Sequence, residues 1–207
     1  WIARAFAAEC ISQGLYKCVV GGDGRLSTPE IRARLSEGLS SGGLNVLDIG
    51  IVPTPLLYYA THRFETGTGI MITGSHNPAE YNGLKMVLGH AALYGQSITR
   101  LLMRIKNNEL TEGAGTIESH DIIDEYISEV CRGIKISKPK NIVVDCGNGV
   151  GGVVAPRLLR RLGHNVITLY DEVDGQFPNH HPDPADEQNL VDLKQTVLDQ
   201  KAGVGIA

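Results

Sequence analysis

The sequence predicts an α/β protein built from two modules, each with helices packed on a mostly parallel sheet. Short β-rich runs alternate with longer helical patterns along the chain, and this alternation is typical of βαβ units. A similar strand, turn and helix pattern begins near residue 17 and again near residue 141. The length of 207 residues leaves room for one large domain or two small ones.

The first βαβ pattern lies near the start of the chain. Residues 17–20 are predicted to form a strand, and residues 21–25 a turn rich in Gly and Asp. Ser27 is the predicted N-cap of the following helix, and Glu30 completes a capping box with it. This helix is predicted to end at the Ser-Gly-Gly run of residues 41–43.

The same patterns extend the first module to about residue 120, and residues 1–120 are the predicted first domain. Its other predicted elements are strands at 45–49, 69–73 and 83–88 and helices at 54–62 and 97–107. A polar stretch that contains Gly, residues 111–120, follows the last of them.

Residues 121–207 are the predicted second domain. The predicted elements are helices at 121–131 and 150–162, strands at 141–144 and 165–170, and a turn at 145–149. Its pattern echoes the first module, and either internal duplication or convergence on common βαβ chemistry explains the echo. Because Trp1 falls inside a helix-like stretch and Ala207 in a strand-like one, we expect both ends to be cut and the second module to be truncated.

The composition excludes several classes of partner. No apolar run approaches the roughly 20 residues that span a bilayer, so no membrane partner is expected. The net charge of -4 and the scattered Lys and Arg residues argue against nucleic acid. The four cysteines have no metal-site or disulfide spacing, so they are predicted to be reduced thiols in a cytoplasmic protein.

A polar loop is predicted directly after the strand at 69–73. Residues 73–78 read Thr-Gly-Ser-His-Asn-Pro, and Lys85 follows on the return connection. Ligands of open α/β sheets bind beyond the carboxyl ends of strands, so Ser75 is a candidate site residue presented to solvent. A serine hydroxyl needs a base, a metal or charge neutralisation to act as a nucleophile, and His76 and Lys85 are the nearby candidates. An ordinary turn is the alternative.

The full motif set resembles a known family. Residues 73–78 with the Tyr-Asn-Gly-Leu-Lys run at 81–85 resemble the active-serine loop of the α-D-phosphohexomutases. The further matches, in family order, are residues 22–27, 52–55, 145–149 and 172–184. The last run is most similar to the phosphomannomutase/phosphoglucomutase branch, and the resemblance covers essentially the whole chain.

The resemblance implies a mutase that interconverts hexose 1-phosphate and hexose 6-phosphate through a phosphoserine and a hexose 1,6-bisphosphate. It implies that Ser75 carries the phosphoryl group, Lys85 is the general acid/base, and His76 supports proton transfer or substrate positioning. Arg25 and Asn77 would bind phosphate or substrate.

The resemblance also implies groups outside this chain. Ser75 would give one oxygen to Mg²⁺, whose main carboxylate ligands are expected beyond Ala207, together with the remaining C-terminal domains. We therefore expect the chain to be the N-terminal half of such an enzyme and to have little or no mutase activity alone. The sugar, whether mannose, glucose or glucosamine phosphate, is not determined by these residues.

Other interpretations are weaker. A non-catalytic module that binds sugar phosphate with the same loop is the main alternative. A metal site at His180, His181 and Asp183 is less favoured than a rigid structural loop, because adjacent residues of an extended chain point to opposite faces. The Gly-rich run at 147–152 only approximates a dinucleotide fingerprint, although the helix after it could offer N–H groups to a phosphate. A serine hydrolase would need a G-x-S-x-G elbow, which is absent.

Overall fold

The computed structural model describes residues 1–207, which form two compact units. The first unit consists of Trp1–Gly22, Ser27–Thr73 and Gly83–Ile122. The second consists of Ile123–Ala207 together with two short segments, Asp23–Leu26 and Gly74–Asn82. The predicted domain division at residue 120 stays a prediction.

The first unit contains four helices and six strands. The helices are α1 (Ile2–Ser12), α2 (Thr28–Ser41), α3 (Thr54–Arg63) and α4 (Gln96–Lys106). The strands are β1 (Lys17–Gly22), β2 (Asn45–Ile51), β3 (Gly69–Ile72), β4 (Leu84–Leu88), β5 (Ala91–Ala92) and β6 (Ile117–Ser119).

The strands of the first unit form one sheet with the order β5-β4-β3-β1-β2-β6. The pairs β1–β2, β1–β3 and β2–β6 are parallel, whereas β4 is antiparallel to both β3 and β5. The sheet is therefore parallel in its centre and at the β6 edge. This confirms the predicted α/β class with a mostly parallel sheet.

Helices cover both faces of this sheet. Cys18, Val20, Ile70 and Ile72 belong to one hydrophobic cluster with residues of α1, α2 and α4. Alternate residues of a strand point to opposite faces, and a Cβ at Gly69 would lie only 2.8 Å from Thr61 Cγ2 of α3. Helix α3 therefore packs on the face opposite α1 and α2.

The second unit is built on a smaller parallel sheet. Its strands β7 (Asn141–Asp145), β8 (Asn165–Leu169) and β9 (Val204–Ile206) have the order β8-β7-β9. Its helices are α5 (Ile123–Gly133), α6 (Ala155–Arg161) and α7 (Val191–Asp199), with short 3-10 helices at Val150–Val153 and Glu187–Leu190. No helix of the chain combines the length and apolar character needed to cross a bilayer.

Two details of the predicted elements were wrong. Ser27 is the N-cap residue of α2, but its side chain makes no capping hydrogen bond. Its φ of -79° and ψ of -15° are already helical, whereas a capping box needs an extended N-cap residue. The predicted helix at 150–162 is a 3-10 turn followed by α6, because Gly151 and Gly152 weaken the start and Pro156 suits only a first helical turn.

Candidate functional site

Two loops begin side by side because β1 and β3 are neighbouring parallel strands. Gly22, the last residue of β1, pairs with Ile72, the last residue of β3. The chain then continues into Asp23 after β1 and, one residue further on, into Gly74 after β3. Parallel strands carry their carboxyl ends to the same edge of a sheet. The register therefore brings Asp23 and Gly74 close together.

Ser75 lies on the second of these loops, the serine loop (Gly74–Asn82), and it is exposed to solvent as predicted. Its φ of +55° is in the left-handed region, which a residue with a side chain adopts only when its surroundings hold it there. The base of the loop is closed by the Thr73 N–H, which donates to Gly83 O at 3.0 Å. Asn77 donates to Gly74 O through both its backbone N–H (3.1 Å) and its side-chain Nδ2 (2.9 Å).

Arg25 is buried against the serine loop, and only 1% of its side chain is exposed. Nη1 donates to Pro78 O at 2.5 Å and to Tyr81 O at 3.0 Å. Nη2 donates to Ser75 O and to Asn77 O, both at 2.8 Å. Every main-chain acceptor of the guanidinium therefore belongs to the serine loop.

Asp23 completes this arrangement. Its Oδ2 accepts from Arg25 Nε at 3.1 Å and from the Gly74 N–H at 3.2 Å, and its Oδ1 accepts from the Arg25 N–H at 3.1 Å. A Cβ at Gly74 would lie 2.4 Å from Arg25 Cζ, so only glycine fits beside the guanidinium. Asp23 was not predicted as a site residue, although it lies two residues before Arg25 in a Gly-rich turn.

The segment of residues 171–184 packs on the same loops. The Phe177 ring centroid lies 5.3 Å from Arg25 Cζ, which is a cation–π distance. A Cβ at Gly175 would lie 2.6 Å from the Leu26 backbone N. His76 Nδ1 lies 2.8 Å from Pro182 O, and because a carbonyl only accepts, Nδ1 is the donor. Phe177 was not predicted, because nothing local in the sequence links it to Arg25.

The predicted site residues are distributed over both units. Arg25, Ser75 and Asn77 are brought together by the hydrogen bonds described above, and His76 contacts the 171–184 segment. Lys85 lies on β4 of the first unit, where it pairs with Met71 of β3, and its side chain is exposed. The roles predicted for these residues stay predictions.

Three successive N–H groups of the Gly-rich turn after β7 are hydrogen-bonded within the chain. Asn148 N–H donates to Tyr170 O at 2.8 Å, Gly149 N–H to Cys146 O at 2.7 Å, and Gly147 N–H to Asp145 Oδ1 at 2.9 Å. The helix after it is a 3-10 helix of four residues. These bonds are typical of a tight turn, so the glycines do not require a dinucleotide ligand.

The thiol of Cys146, in the same turn, is not a thiolate nucleophile. Burial and the neighbouring Asp171 and Asp145 raise the pKa of this thiol to about 12.

The residues of this chain do not form a magnesium cage by themselves. Mg²⁺ takes oxygen ligands in near-octahedral geometry, and no group of three or more His, Cys, Asp or Glu side chains could hold a metal ion. The Asp23 carboxylate already accepts three N–H groups. The role of Ser75 Oγ as one metal ligand stays a prediction.

Fold and site together define an α/β protein that presents an exposed serine on a loop bonded to a buried arginine. Residues 1–112 match the family model described as phosphoglucomutase/phosphomannomutase, alpha/beta/alpha domain I. Residues 124–207 match the model described as alpha/beta/alpha domain II. The chain therefore belongs to the phosphoglucomutase/phosphomannomutase family.

Individual relatives agree with this assignment. The chain is 48% identical over 207 residues to a phosphomannomutase/phosphoglucomutase of Pseudomonas aeruginosa and 42% identical over 208 residues to a phosphoglucomutase of Neisseria meningitidis. Each alignment covers 100% of this chain and 45% of the relative, so the chain spans about half the length of these curated relatives.

Solved structures show the same fold. A phosphoglucomutase/phosphomannomutase family protein from Burkholderia thailandensis superposes with a TM-score of 0.95 at 42% identity, over 99% of this chain and 46% of that one. A putative phosphomannomutase from Thermus thermophilus superposes with a TM-score of 0.82 at 25% identity, over 95% of this chain and 46% of that one.

Proposed function

We propose that this chain is the phosphoryl-carrying part of a hexose phosphate mutase and that Ser75 is the carrier. The observation that carries the proposal is the exposed Ser75 at φ +55° on the serine loop, in a chain that belongs to the phosphoglucomutase/phosphomannomutase family. The substrate is a hexose monophosphate, with mannose, glucose and glucosamine phosphates as the candidate sugars.

The proposed reaction transfers one phosphoryl group out and one back. In the first step the bond between phosphorus and Ser75 Oγ breaks, and a bond forms between phosphorus and the free sugar hydroxyl oxygen. The sugar hydroxyl loses its proton, and Ser75 Oγ gains one to become a neutral hydroxyl. The resulting hexose 1,6-bisphosphate then returns its other phosphoryl group to Ser75.

Lys85 and His76 are the proposed proton carriers and positioning groups. An ammonium at Lys85 would protonate the departing Ser75 oxygen, and the neutral amine would take the proton back in the return step. The contact between His76 Nδ1 and Pro182 O leaves Nε2 of the same ring to face substrate. Asn77 is a weaker candidate for phosphate contact, because its Nδ2 already donates to Gly74 O.

Intact mass after incubation with hexose 1,6-bisphosphate and Mg²⁺ tests the carrier role in the longer parent protein. One added phosphate is expected on the unsubstituted protein and on Ser137→Ala, which alters an exposed serine between α5 and β7. None is expected on Ser75→Ala. Saturable sugar-phosphate binding with an unmodified serine would instead favour the non-catalytic module. The 207-residue chain alone is expected to show little or no mutase turnover.

A further inference from the structure

We propose that Arg25 is a positioning residue that sets the backbone of the serine loop, and that it does not bind phosphate through its own N–H groups. The inference rests on the proposed function insofar as the loop carries the reacting serine. It revises the expectation that Arg25 neutralises phosphate directly.

The donors of Arg25 are fully used. A guanidinium has five N–H groups in a rigid planar fork. In this structure Nε makes one bond, to Asp23, and Nη1 and Nη2 make two each, to carbonyls of four serine-loop residues. No N–H group remains for a phosphate oxygen, and the buried positive charge is balanced by Asp23 at 3.1 Å.

The bonds lie on both sides of the Ser75 backbone. Asp23 Oδ2 accepts the Gly74 N–H before Ser75, and Arg25 Nη2 donates to the Ser75 carbonyl after it. The Ser75 carbonyl belongs to the peptide group directly after the left-handed φ of +55°, and the Gly74 N–H belongs to the peptide group one residue before it. Arg25 therefore holds the backbone conformation that directs the side chain of residue 75.

Phe177 and Gly74 pack closely around the guanidinium. Phe177 covers it at 5.3 Å, and Gly74 lies so close that a Cβ would be 2.5 Å from Nε and 2.7 Å from Nη1. A lysine at position 25 would keep the positive charge but offers three donors on a compact ammonium instead of a planar fork. The Arg25→Lys substitution therefore separates the effect of the positive charge from the effect of the planar set of five donors.

Amide hydrogen exchange of the 207-residue chain measures the anchoring directly. The variants are Arg25→Lys and, as an independent way of displacing the guanidinium, Gly74→Ala. Exchange at the amides of residues 74 and 77 is expected to accelerate about tenfold or more in both variants. This is the loss of protection expected when a hydrogen bond to a charged group breaks. Amides of Val143 and Val144 in β7 should keep their protection, which shows that the second unit is still folded.

Matched controls test whether the effect is specific to Arg25 and Gly74 or follows from replacing any arginine or glycine. Arg34→Lys alters an arginine whose side chain is 74% exposed, and Gly133→Ala adds a Cβ that meets nothing within 4 Å. Both should leave exchange at residues 74 and 77 unchanged. If Arg25→Lys unfolds the unit, so that Val143 and Val144 also lose protection, the Gly74→Ala result decides.

Kinetics of the longer parent protein provide a readout that fold stability alone would not change. Misplacing the carrier should lower kcat of Arg25→Lys about a hundredfold and leave KM for the hexose phosphate within about threefold. A protein that keeps both the exchange protection and kcat with lysine at position 25 would overturn the proposal, because charge alone would then suffice. If the unsubstituted protein never carries phosphate on Ser75, only the proposed function fails, and the exchange result still decides the positioning.

Discussion

The Nε2 of His180 lies 3.1 Å from each carboxylate oxygen of Asp145, and this contact ties the 171–184 segment to the end of β7. The Asp145 side chain is only 1% exposed. The other ring nitrogen, Nδ1, lies 2.9 Å from the His181 carbonyl oxygen. His180 is thus held at both nitrogens within a segment that also covers Arg25 through Phe177.

Replacing His180 with alanine should lower the free energy of unfolding by about 1–3 kcal/mol. The substitution leaves Asp145 Oδ2 buried without its hydrogen bond, and an unsatisfied buried polar group costs about that much. Urea unfolding followed by circular dichroism measures the change.

His181→Ala is the matched control, because its side chain is exposed and its carbonyl, which faces His180 Nδ1, is kept. It should change the free energy of unfolding by no more than about 0.5 kcal/mol. Equal losses at the two positions would contradict the structural role of His180.

Gly115→Ala should destabilise the first unit by about 1–3 kcal/mol, the usual cost of overpacking a close contact. A Cβ at residue 115 would lie 1.9 Å from Leu44 O, which is a backbone atom and cannot move aside as a flexible side chain would. Gly203→Ala, whose Cβ would meet only Asn141 O at 3.7 Å, should be nearly neutral. A similar midpoint of thermal unfolding for both variants would refute the prediction.

The strand that follows Gly115 shows what the sequence pattern could not predict. Strand β6 has three residues, all exposed, and exists because it pairs with β2, some 70 positions earlier. An exposed strand shows no alternation of apolar and polar residues, which is the signal on which strand prediction depends. Buried strands such as β1 and β7 were predicted to within two residues, because burial leaves that signal in the sequence.

The serine loop shows the same limit at the candidate site. The exposure of Ser75 was predictable, because a turn of Gly, polar residues and Pro follows a buried strand. The burial of Arg25 was not, because its acceptors at residues 75–81 are about 50 positions away in the sequence. An arginine in a Gly-rich turn indicates a phosphate site only when at least one of its N–H groups is not already hydrogen-bonded within the protein.

Glu9→Gln should destabilise the first unit by about 1–2 kcal/mol, because it weakens a charged hydrogen bond in a largely buried position. Glu9 on α1 has a side chain that is 11% exposed, and Arg104 Nε of α4 donates to it at 2.8 Å. The bond therefore links two helices on the same face of the sheet. Chemical denaturation monitored at several denaturant concentrations gives the change.

Glu37→Gln is the control for Glu9. Glu37 and Arg34 form an ion pair on α2 with side chains 63% and 74% exposed, and exposed pairs of this kind contribute about 0.2–1 kcal/mol or less. If Glu37→Gln lowers the free energy of unfolding as much as Glu9→Gln does, burial is not the reason that the Glu9 contact is stabilising.

The four free cysteines should differ strongly in reactivity toward a thiol reagent in the native state. Burial and the neighbouring Glu9 raise the pKa of Cys10 to about 12, burial also raises the pKa of Cys18, and the pKa of Cys146 is about 12. Because the thiolate is the reactive species, a thiol with a pKa near 12 is about 10⁻⁴ ionised at pH 8. Cys131, which is half-buried, should be modified first.

Mass spectrometry of peptides after timed labelling measures the reactivity of each cysteine. The labelling rate of Cys146 should rise about tenfold per pH unit above pH 8, and Cys131→Ser should remove the fast phase. Rapid labelling of Cys146 at pH 8, equal to that of Cys131, would show that its thiol is not held in the neutral form.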